Sequence, residues 1–340
     1  MILHLDLPQN GYDIVLERGC LRRAGELLSL DRRVLIVTDD GVPAAYAETL
    51  AAQCRESVIV TLPQGEGSKS FACLEMLCHT MLEHRFTRTD CVVAVGGGVV
   101  GDLAGFAAAS FMRGIDFYNC PTTVLSQVDS SIGGKVAVNL DHVKNIVGAF
   151  YQPRRVLIDP DVLATLPQRQ IANGLAEAVK MSLTSDAELF SIFESGDALA
   201  QIDTVIERSL RIKKSVVEQD ERESGLRRIL NFGHTLGHGI EAQNAQNHLY
   251  HGECVALGML PMCAEPVRER LLSVLRALGL PTEIKDDPSL ILDAVTHDKK
   301  CAGSDISVVF VPEVGSFEIR RLPLTEWTAM MQRYFAAKEG

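Results

Sequence analysis

The stretch NFGHTLGHGIEAQNAQNHLYHGE, residues 231 to 253, carries four histidines, His234, His238, His248 and His251, among apolar and amide residues. In a helix, His234 and His238 stand at i and i+4, so both rings project from one face and could chelate a single divalent ion. No glutamate follows His234, so the zinc-protease motif is absent. His251 precedes Gly252 and Glu253 at the start of the next helical stretch, and the nearest upstream acid in an apolar helical pattern is Glu177 in GLAEAVK. Two or three histidines with one carboxylate would leave a coordination position open for substrate, as catalytic zinc sites do. A lone histidine more often packs against a helix; a cluster of this density reads as imidazole ligands for a metal such as zinc.

A second candidate is GGGVVG, Gly96 to Gly101, which follows the apolar run CVVAV and fits G-x-G-x-x-G with glycines at 96, 98 and 101. Bare backbone there lets a pyrophosphate approach a helix N-terminus, where unpaired N–H groups favour anions. The same spacing also makes a tight strand-to-helix turn with no ligand. The usual dinucleotide fold places these glycines in its first βαβ unit, with the ribose-binding acid about 20 residues later. Here the order is reversed. Asp39 closes the strand VLIVTD upstream of the glycines, and the polar loop QGEGSKS, with Glu66 and Lys69, also precedes them. A ribose acid would therefore come from an earlier strand, in a variant of the Rossmann arrangement.

These groups need two kinds of scaffold. Up to RRVLIDP, short β-rich runs alternate with helical stretches, the pattern of parallel βαβ units, and ILHLDLP and YDIVLERG, joined by QNG, read as a small antiparallel element at the start. After Pro167 the periodicity becomes helical through IANGLAEAVKMSL, IDTVIERSLRIKKSVVEQDE, NFGHTLGHGIEAQ, ECVALGMLPMCAEPVRERLLSVLRALGL and LTEWTAMMQRYFAAK, with one late hairpin in ISVVFVPEVGSFEIRRL. The expected fold class is an α/β Rossmann-like N-terminal domain, residues 1 to 166, followed by a mainly α-helical C-terminal domain, residues 167 to 340. A chain of 340 residues can bury two such cores without covalent staples. Its nine cysteines include no CxxC pair and argue for a reducing compartment. No long apolar run or basic leader is present, so the expectation is a soluble cytoplasmic protein without a membrane partner. The formal net charge of −11 disfavours nucleic acid, while leaving room for a local cationic anion site.

The blocks GGGVVGDLAGFAAASFMRG, PTTVLSQVDSSIGGK, VKNIVGAFYQP, TLPQRQIANGLAEAVK, DERESGLRRILNFGHTLGHGIEA and HGECVALGM occur in order between about Asp39 and Lys300. Together they resemble the 3-dehydroquinate synthase family of sugar phosphate cyclases. The resemblance implies a dehydroquinate synthase-like fold, NAD and Zn²⁺ (or Co²⁺) as cofactors, and a homodimer. It further implies conversion of 3-deoxy-arabino-heptulosonate 7-phosphate to 3-dehydroquinate and phosphate, a step of the shikimate pathway, by transient oxidation, β-elimination, reduction and intramolecular aldol closure.

Carried over to this sequence, the resemblance assigns the metal to Glu177, His234 and His251, and makes His238 catalytic with Glu223, Lys135 and Asp129. It assigns NAD to Asp39, Glu66, Lys69, Gly97, Gly98, Asp102, Thr122, Thr123, Lys144 and Thr165. It assigns the phosphorylated keto acid to Arg113, Asp129, Lys135, Asn145, Lys180, Lys213, Arg227, Asn231, Lys299 and Lys300, whose cations and amides suit one carboxylate and one phosphate. The chain departs from the family pattern at Val136 and Val143, and in a shorter segment between Met259 and Gly279. The alternatives are a sister cyclase of the valiolone, inosose or amino-dehydroquinate type, and a metal-dependent polyol dehydrogenase, which would accumulate NADH.

Overall fold

The structure is a computed structural model that describes residues 1–141, 143–223, 225–243, 248–300 and 305–337, with the side chains of residues 297–300 outside the description. Contacts divide the chain into two compact units, Met1–Pro167 with Lys213–Glu221, and Gln168–Ile212 with Arg222–Gly340.

In the first unit, the runs VLIV (34–37) and CVVAV (91–95) are apolar without alternation, which suits strands covered on both faces. The strands are β1 (Ile2–Leu5), β2 (Tyr12–Leu16), β3 (Arg33–Asp39), β4 (Glu56–Leu62), β5 (Cys91–Gly96), β6 (Asp116–Pro121), the pair β7 (Lys135–Leu140) and β8 (Val143–Phe150), and β9 (Arg155–Ile158). Seven of them form one sheet in the order β1-β2-β9-β6-β5-β3-β4, parallel except for the β1–β2 pair. On one face Val34, Ile36, Val93 and Val95 pack with Ala24 of α1 (Ala24–Leu27) and Ala47 and Leu50 of α2 (Ala44–Ala51). On the other, Leu35, Val37, Val92 and Ala94 pack with Leu77 and Met81 of α3 (Phe71–Glu83) and Leu103 and Ala107 of α4 (Gly98–Ser110).

The opening antiparallel pair forms as expected in β1–β2, and it also extends the main sheet: β2 pairs in parallel with β9, and Tyr12, Ile14, Val15 and Leu16 are buried. A turn signal fixes local pairing but not which edge of a sheet the pair will join. The antiparallel pair β7–β8 was not expected, and it carries Lys135, Lys144 and Asn145. Val136 of β7 is buried and lies where a side chain on Gly105 of α4 would otherwise sit, whereas Val143 is exposed.

The second unit contains α5 (Gln168–Ser185), α6 (Ala187–Glu194) and the start of α7 (Ile202–Gln219). It continues with α8 (His234–Ala242), α9 (His251–Met259), α10 (Glu265–Leu278), α11 (Pro288–Lys300), the hairpin β10 (Asp305–Phe310) and β11 (Glu318–Pro323), and α12 (Leu324–Ala336). The end of α7 groups with the first unit, where Glu218 accepts the Asp6 N–H at 2.7 Å. The helical stretch after Glu253 breaks near Pro261. Pro261 sits in a short turn, Leu260–Met262, and the chain is extended at Cys263, where the Val311 N–H reaches Met262 O at 3.0 Å and the Ala264 N–H reaches Val311 O at 3.0 Å. Among the described residues no helix is long and apolar enough to cross a membrane, and no disulfide is formed.

Candidate functional site

In the second unit, helix α9 packs on both α5 and α8, and glycines allow the close approach. A side chain on Gly237 of α8 would stand 3.1 Å from the Cys254 carbonyl oxygen and 3.2 Å from Val255 Cα, both on α9. A side chain on Gly252 of α9 would collide with the Asn173 carbonyl of α5, and the Gly252 N–H already donates to Asn173 Oδ1 at 2.7 Å. His251, the first residue of α9, is thereby brought beside His234 and beside Glu177, which lies one turn after Asn173 on α5. The ring centroids of His234 and His251 are 5.2 Å apart.

The N-terminus of α9 is held further by Glu253, which accepts the Tyr250 N–H at 2.7 Å and pairs with both Nε and Nη2 of Arg169. Arg169 also stacks over the Tyr250 ring at 4.5 Å and donates to the His248 carbonyl at 2.8 Å. His248 thus serves this corner through its backbone.

Glu177 is 1% exposed, and neither of its carboxylate oxygens makes a hydrogen bond. Its surroundings are charged instead: Lys180, also 1% exposed, forms an ion pair with it, and His251 Nε2 and His234 Nε2 face Oε1 at 3.5 and 3.8 Å. One ligand atom from each of Glu177, His234 and His251 falls within a 4.8 Å span. Ligands about 2.0–2.2 Å from a tetrahedral zinc stand about 3.4 Å from one another, close to these separations. Lys180 offsets the charge at Oε2, and a metal cation between the three groups would meet Oε1, which faces the two imidazoles. The donor set of one carboxylate and two imidazoles fits Zn²⁺ or Co²⁺.

The electrostatics of the two rings differ. Burial, then the Lys180 charge, pushes His234 down to about 3, so it stands as a neutral imidazole with a lone pair to offer. Burial opposes charge on His251, but the neighbouring Glu177 and Glu241 carboxylates raise it to about 10, so without a metal the ring carries a proton that a metal ion at Nε2 would displace. Burial likewise opposes charge on Glu177, and Lys180 with the two histidines outweighs it, holding the carboxyl well below the usual carboxylate range.

His238, Glu241 and His251 form a second, overlapping group of possible ligands. His238 is exposed on α8 with its ring centroid 5.3 Å from that of His234 and 6.0 Å from that of His251. Glu241 was missed in the sequence, although a signal existed: His234, His238 and Glu241 stand at i, i+4 and i+7, one helix face. Glu223 accepts from Asn231 Nδ2 at 2.6 Å, and Arg227 is buried. Lys299 and Lys300 lie outside the residues whose side chains are described.

In the first unit the chain runs from β3 outward to β4, then returns to place β5 on the opposite side of β3. The crevice outside the carboxyl ends of β3 and β5 is the topological switch point, where open α/β sheets bind ligands. Asp39 ends β3 and the glycine turn follows β5, so the reversed sequence order still sets an acid and a phosphate-type turn on neighbouring strands. Gly97 caps α4; a side chain there would stand 3.2 Å from Thr123 Cγ2, and one on Gly98 would stand 3.0 Å from Ser130 Oγ. Thr122 and Thr123 follow β6, the next strand over. Asp39 accepts the Gly41 N–H at 2.9 Å, and burial raises its pKa.

Lys69 is buried, donating to Asp102 of α4 at 2.5 Å and to Asn145 of β8. Burial raises the Asp102 pKa despite the Lys69 charge. Glu66 accepts from Asn139 Nδ2 at 2.7 Å, and Asn139 Oδ1 in turn accepts the Asn145 N–H at 2.8 Å. One polar network therefore joins Glu66, Lys69, Asp102 and Asn145. Lys213, from the end of α7, pairs with the Asp129 carboxylate and donates to its carbonyl at 2.6 Å. Lys135 lines a cavity with Asp102, Asn119, Ser130 and Ser131. Thr165 bonds the Tyr46 hydroxyl at 3.3 Å, while Arg113 and Lys144 are exposed.

Comparison with known proteins gives a consistent result. The family model for the N-terminal part of 3-dehydroquinate synthase matches residues 59–173, and that for the C-terminal part matches residues 174–301. The chain is 40% identical over 355 aligned residues to the 3-dehydroquinate synthase of Streptococcus sanguinis, covering 98% of this chain and 100% of that protein. Among solved structures it resembles 2-epi-5-epi-valiolone synthase from Streptomyces hygroscopicus, which has NAD⁺ and Zn²⁺ bound, with TM-score 0.87, 28% identity and coverage of 98% and 99%. It also resembles a 2-deoxy-scyllo-inosose synthase complexed with carbaglucose-6-phosphate, NAD⁺ and Co²⁺, with TM-score 0.88, 26% identity and coverage of 98% and 100%.

Proposed function

The chain belongs to the 3-dehydroquinate synthase family, and on that premise we propose that it converts 3-deoxy-arabino-heptulosonate 7-phosphate to 3-dehydroquinate and inorganic phosphate, using NAD and a divalent metal. When bound, the metal would supply Lewis acidity toward a substrate hydroxyl and NAD a reversible hydride acceptor, with no net redox change.

The chain's own residues supply the rest. Glu177, His234 and His251 hold the metal. Asp39 accepts from the ribose hydroxyls of NAD, and the bare backbone at Gly97 and Gly98 leaves room for its pyrophosphate at the start of α4. Glu66, Lys69, Asp102, Thr122, Thr123, Lys144 and Thr165 complete the cofactor contacts. Arg113, Asp129, Lys135, Asn145, Lys180, Lys213, Arg227 and Asn231 bind the substrate, whose carboxylate and phosphate need several cations. His238 and Glu223, with Asp129 and Lys135, take and return protons as phosphate leaves by β-elimination and the ring recloses. The protein works as a cytoplasmic homodimer in aromatic amino acid biosynthesis.

The observation that carries this reading is the buried Glu177 carboxylate, paired with Lys180 on one oxygen and faced on the other by the Nε2 atoms of His234 and His251. The test is turnover of the heptulosonate phosphate by purified protein with NAD⁺ and Zn²⁺ or Co²⁺, following phosphate release, NADH absorbance and the product by NMR. The expected result is stoichiometric phosphate and 3-dehydroquinate at constant NADH. Phosphate release with no need for NAD would overturn the mechanism, and accumulating NADH would identify a polyol dehydrogenase instead.

A further inference from the structure

We infer that Glu241 is a positioning residue for the metal centre, holding the His251 ring so that Nε2 faces Glu177. The inference rests on the metal assignment proposed above.

The two nitrogens of His251 have different neighbours. Nδ1 lies 3.2 Å from Glu241 Oε2, and Nε2 lies 3.5 Å from Glu177 Oε1. An ionised carboxylate can only accept, so Glu241 takes the Nδ1–H, and a metal ion that displaces the other proton would meet the ring's lone pair at Nε2. His234 follows the same rule with a different acceptor: its Nδ1 lies 3.1 Å from the Phe232 carbonyl oxygen and its Nε2 faces Glu177. Both rings thus have an acceptor at one nitrogen and the buried carboxylate at the other. Metal-ligating histidines are oriented in this way, by an outer partner that fixes tautomer and ring angle and raises the basicity of the ligand atom.

Glu241 can do this because of where it stands. It shares a face of α8 with His234, two turns on, and its side chain is only 15% exposed. The close packing of α8 on α9 at Gly237 brings that face to the first turn of α9, where His251 sits. His251 needs such a partner more than His234 does. Its side chain is 33% exposed against 14% for His234, so packing leaves the ring more freedom to turn.

The competing arrangement is that Glu241 is itself a ligand. His238, Glu241 and His251 also converge, and in that case His251 would bind through Nδ1 and Glu177 would be dispensable. Metal affinity separates the two arrangements without recourse to turnover. Zn²⁺ dissociation constants would be measured by competition with a chromophoric chelator, and the Co²⁺ visible absorption recorded, for the wild type and for Glu241→Ala, Glu241→Gln, Glu177→Gln and His238→Ala. Circular dichroism would establish that each variant is folded.

Glu241→Ala should weaken Zn²⁺ binding by about 10- to 100-fold while keeping one metal per chain and the shape of the Co²⁺ spectrum. Glu241→Gln, whose amide oxygen still accepts from Nδ1, should recover most of that loss and covers the case in which the alanine variant does not fold. His238→Ala should bind metal as the wild type does. Unchanged affinity in both Glu241 variants would overturn the positioning role. Loss of binding in Glu241→Ala together with retention in Glu177→Gln would overturn it too, by making Glu241 a ligand. Failure of the metal assignment has a separate signature, wild-type protein that binds no metal at the expected stoichiometry.

Discussion

Replacing Gly252 by alanine should loosen the metal centre without altering any proposed ligand. The added Cβ would fall against the Asn173 backbone oxygen well inside van der Waals contact, and would also stand 2.8 Å from Asn173 Oδ1 and 2.9 Å from its carbonyl carbon. The side-chain amide can rotate away. The carbonyl cannot, because it belongs to the backbone of α5. Relief requires α9 to move off α5 by roughly 1 Å, with an overpacking cost of about 1–3 kcal/mol. Alanine's better helix propensity returns about 0.5–1 kcal/mol, so the net destabilisation should be at most about 2.5 kcal/mol. His251 occupies the same turn, so its Nε2 moves away from Glu177 by a comparable distance and turnover should fall about 100-fold. Urea denaturation of the metal-free protein measures the first effect, and chelator competition with phosphate release measures the second. Asn173→Ala is the control. It removes the 2.7 Å hydrogen bond to Gly252, worth about 1 kcal/mol, but keeps the carbonyl, so it should not rescue Gly252→Ala. A Gly252→Ala protein with wild-type stability and metal affinity would refute the argument that close packing of α9 on α5 places His251.

Two further perturbations test neighbouring parts of the account. Lys180→Met removes the cation beside Glu177 and leaves a buried carboxylate faced by imidazoles alone, which should cost about 3–5 kcal/mol in the metal-free protein; Zn²⁺ should raise the melting temperature of this variant more than that of the wild type, and equal metal-free stability would contradict the pairing. Asp186 caps α6 by accepting the Leu189 N–H at 2.9 Å and pairs with two nitrogens of Arg208 at 2.8 Å, and these contacts outweigh partial burial to lower its pKa below the ordinary aspartate value. A lowered folded-state pKa stabilises above the unfolded pKa, and the stabilisation disappears as pH falls through the folded value. Asn also caps, so Asp186→Asn removes chiefly the charge facing Arg208 and should cost about 0.2–1 kcal/mol at pH 7 and progressively less below about pH 4; a difference independent of pH in calorimetry would show that the charge has no part in it.

Much of the scaffold was legible in the sequence because its signals are local. The runs VLIV and CVVAV have the composition of strands buried on both faces, and β3 and β5 are such strands. The late hairpin appears as β10–β11, and the glycine turn opens α4 as its spacing indicated. Where the signals were weaker, tertiary contacts decided. The helical pattern after Glu253 runs on past Pro261, but the chain turns extended at Cys263, where Met262 O and the Ala264 N–H pair with Val311, a partner far away in sequence. The opening hairpin joined the sheet edge at β9 for the same reason.

The histidines divide along that line. Helical periodicity alone determines that His234 and His238 share a face, and it extends to Glu241. It says nothing about which side chains of other helices meet that face. The residue pattern offered Glu177 and His251 as candidates, resemblance to a known family selected them over His238, and the reason those two come to His234 lies in packing. Glycines 237 and 252 let α8 and α5 approach α9 closely enough for two imidazoles to face one buried carboxylate. The nucleotide turn makes the same point from the other unit. The sequence placed Asp39 far before the glycines, and only the crossover of the sheet, which seats β5 against β3, sets the acid and the turn on adjacent strands. Local patterns determine which side chains an element can offer; the long-range contacts of strands and helices determine which of them meet.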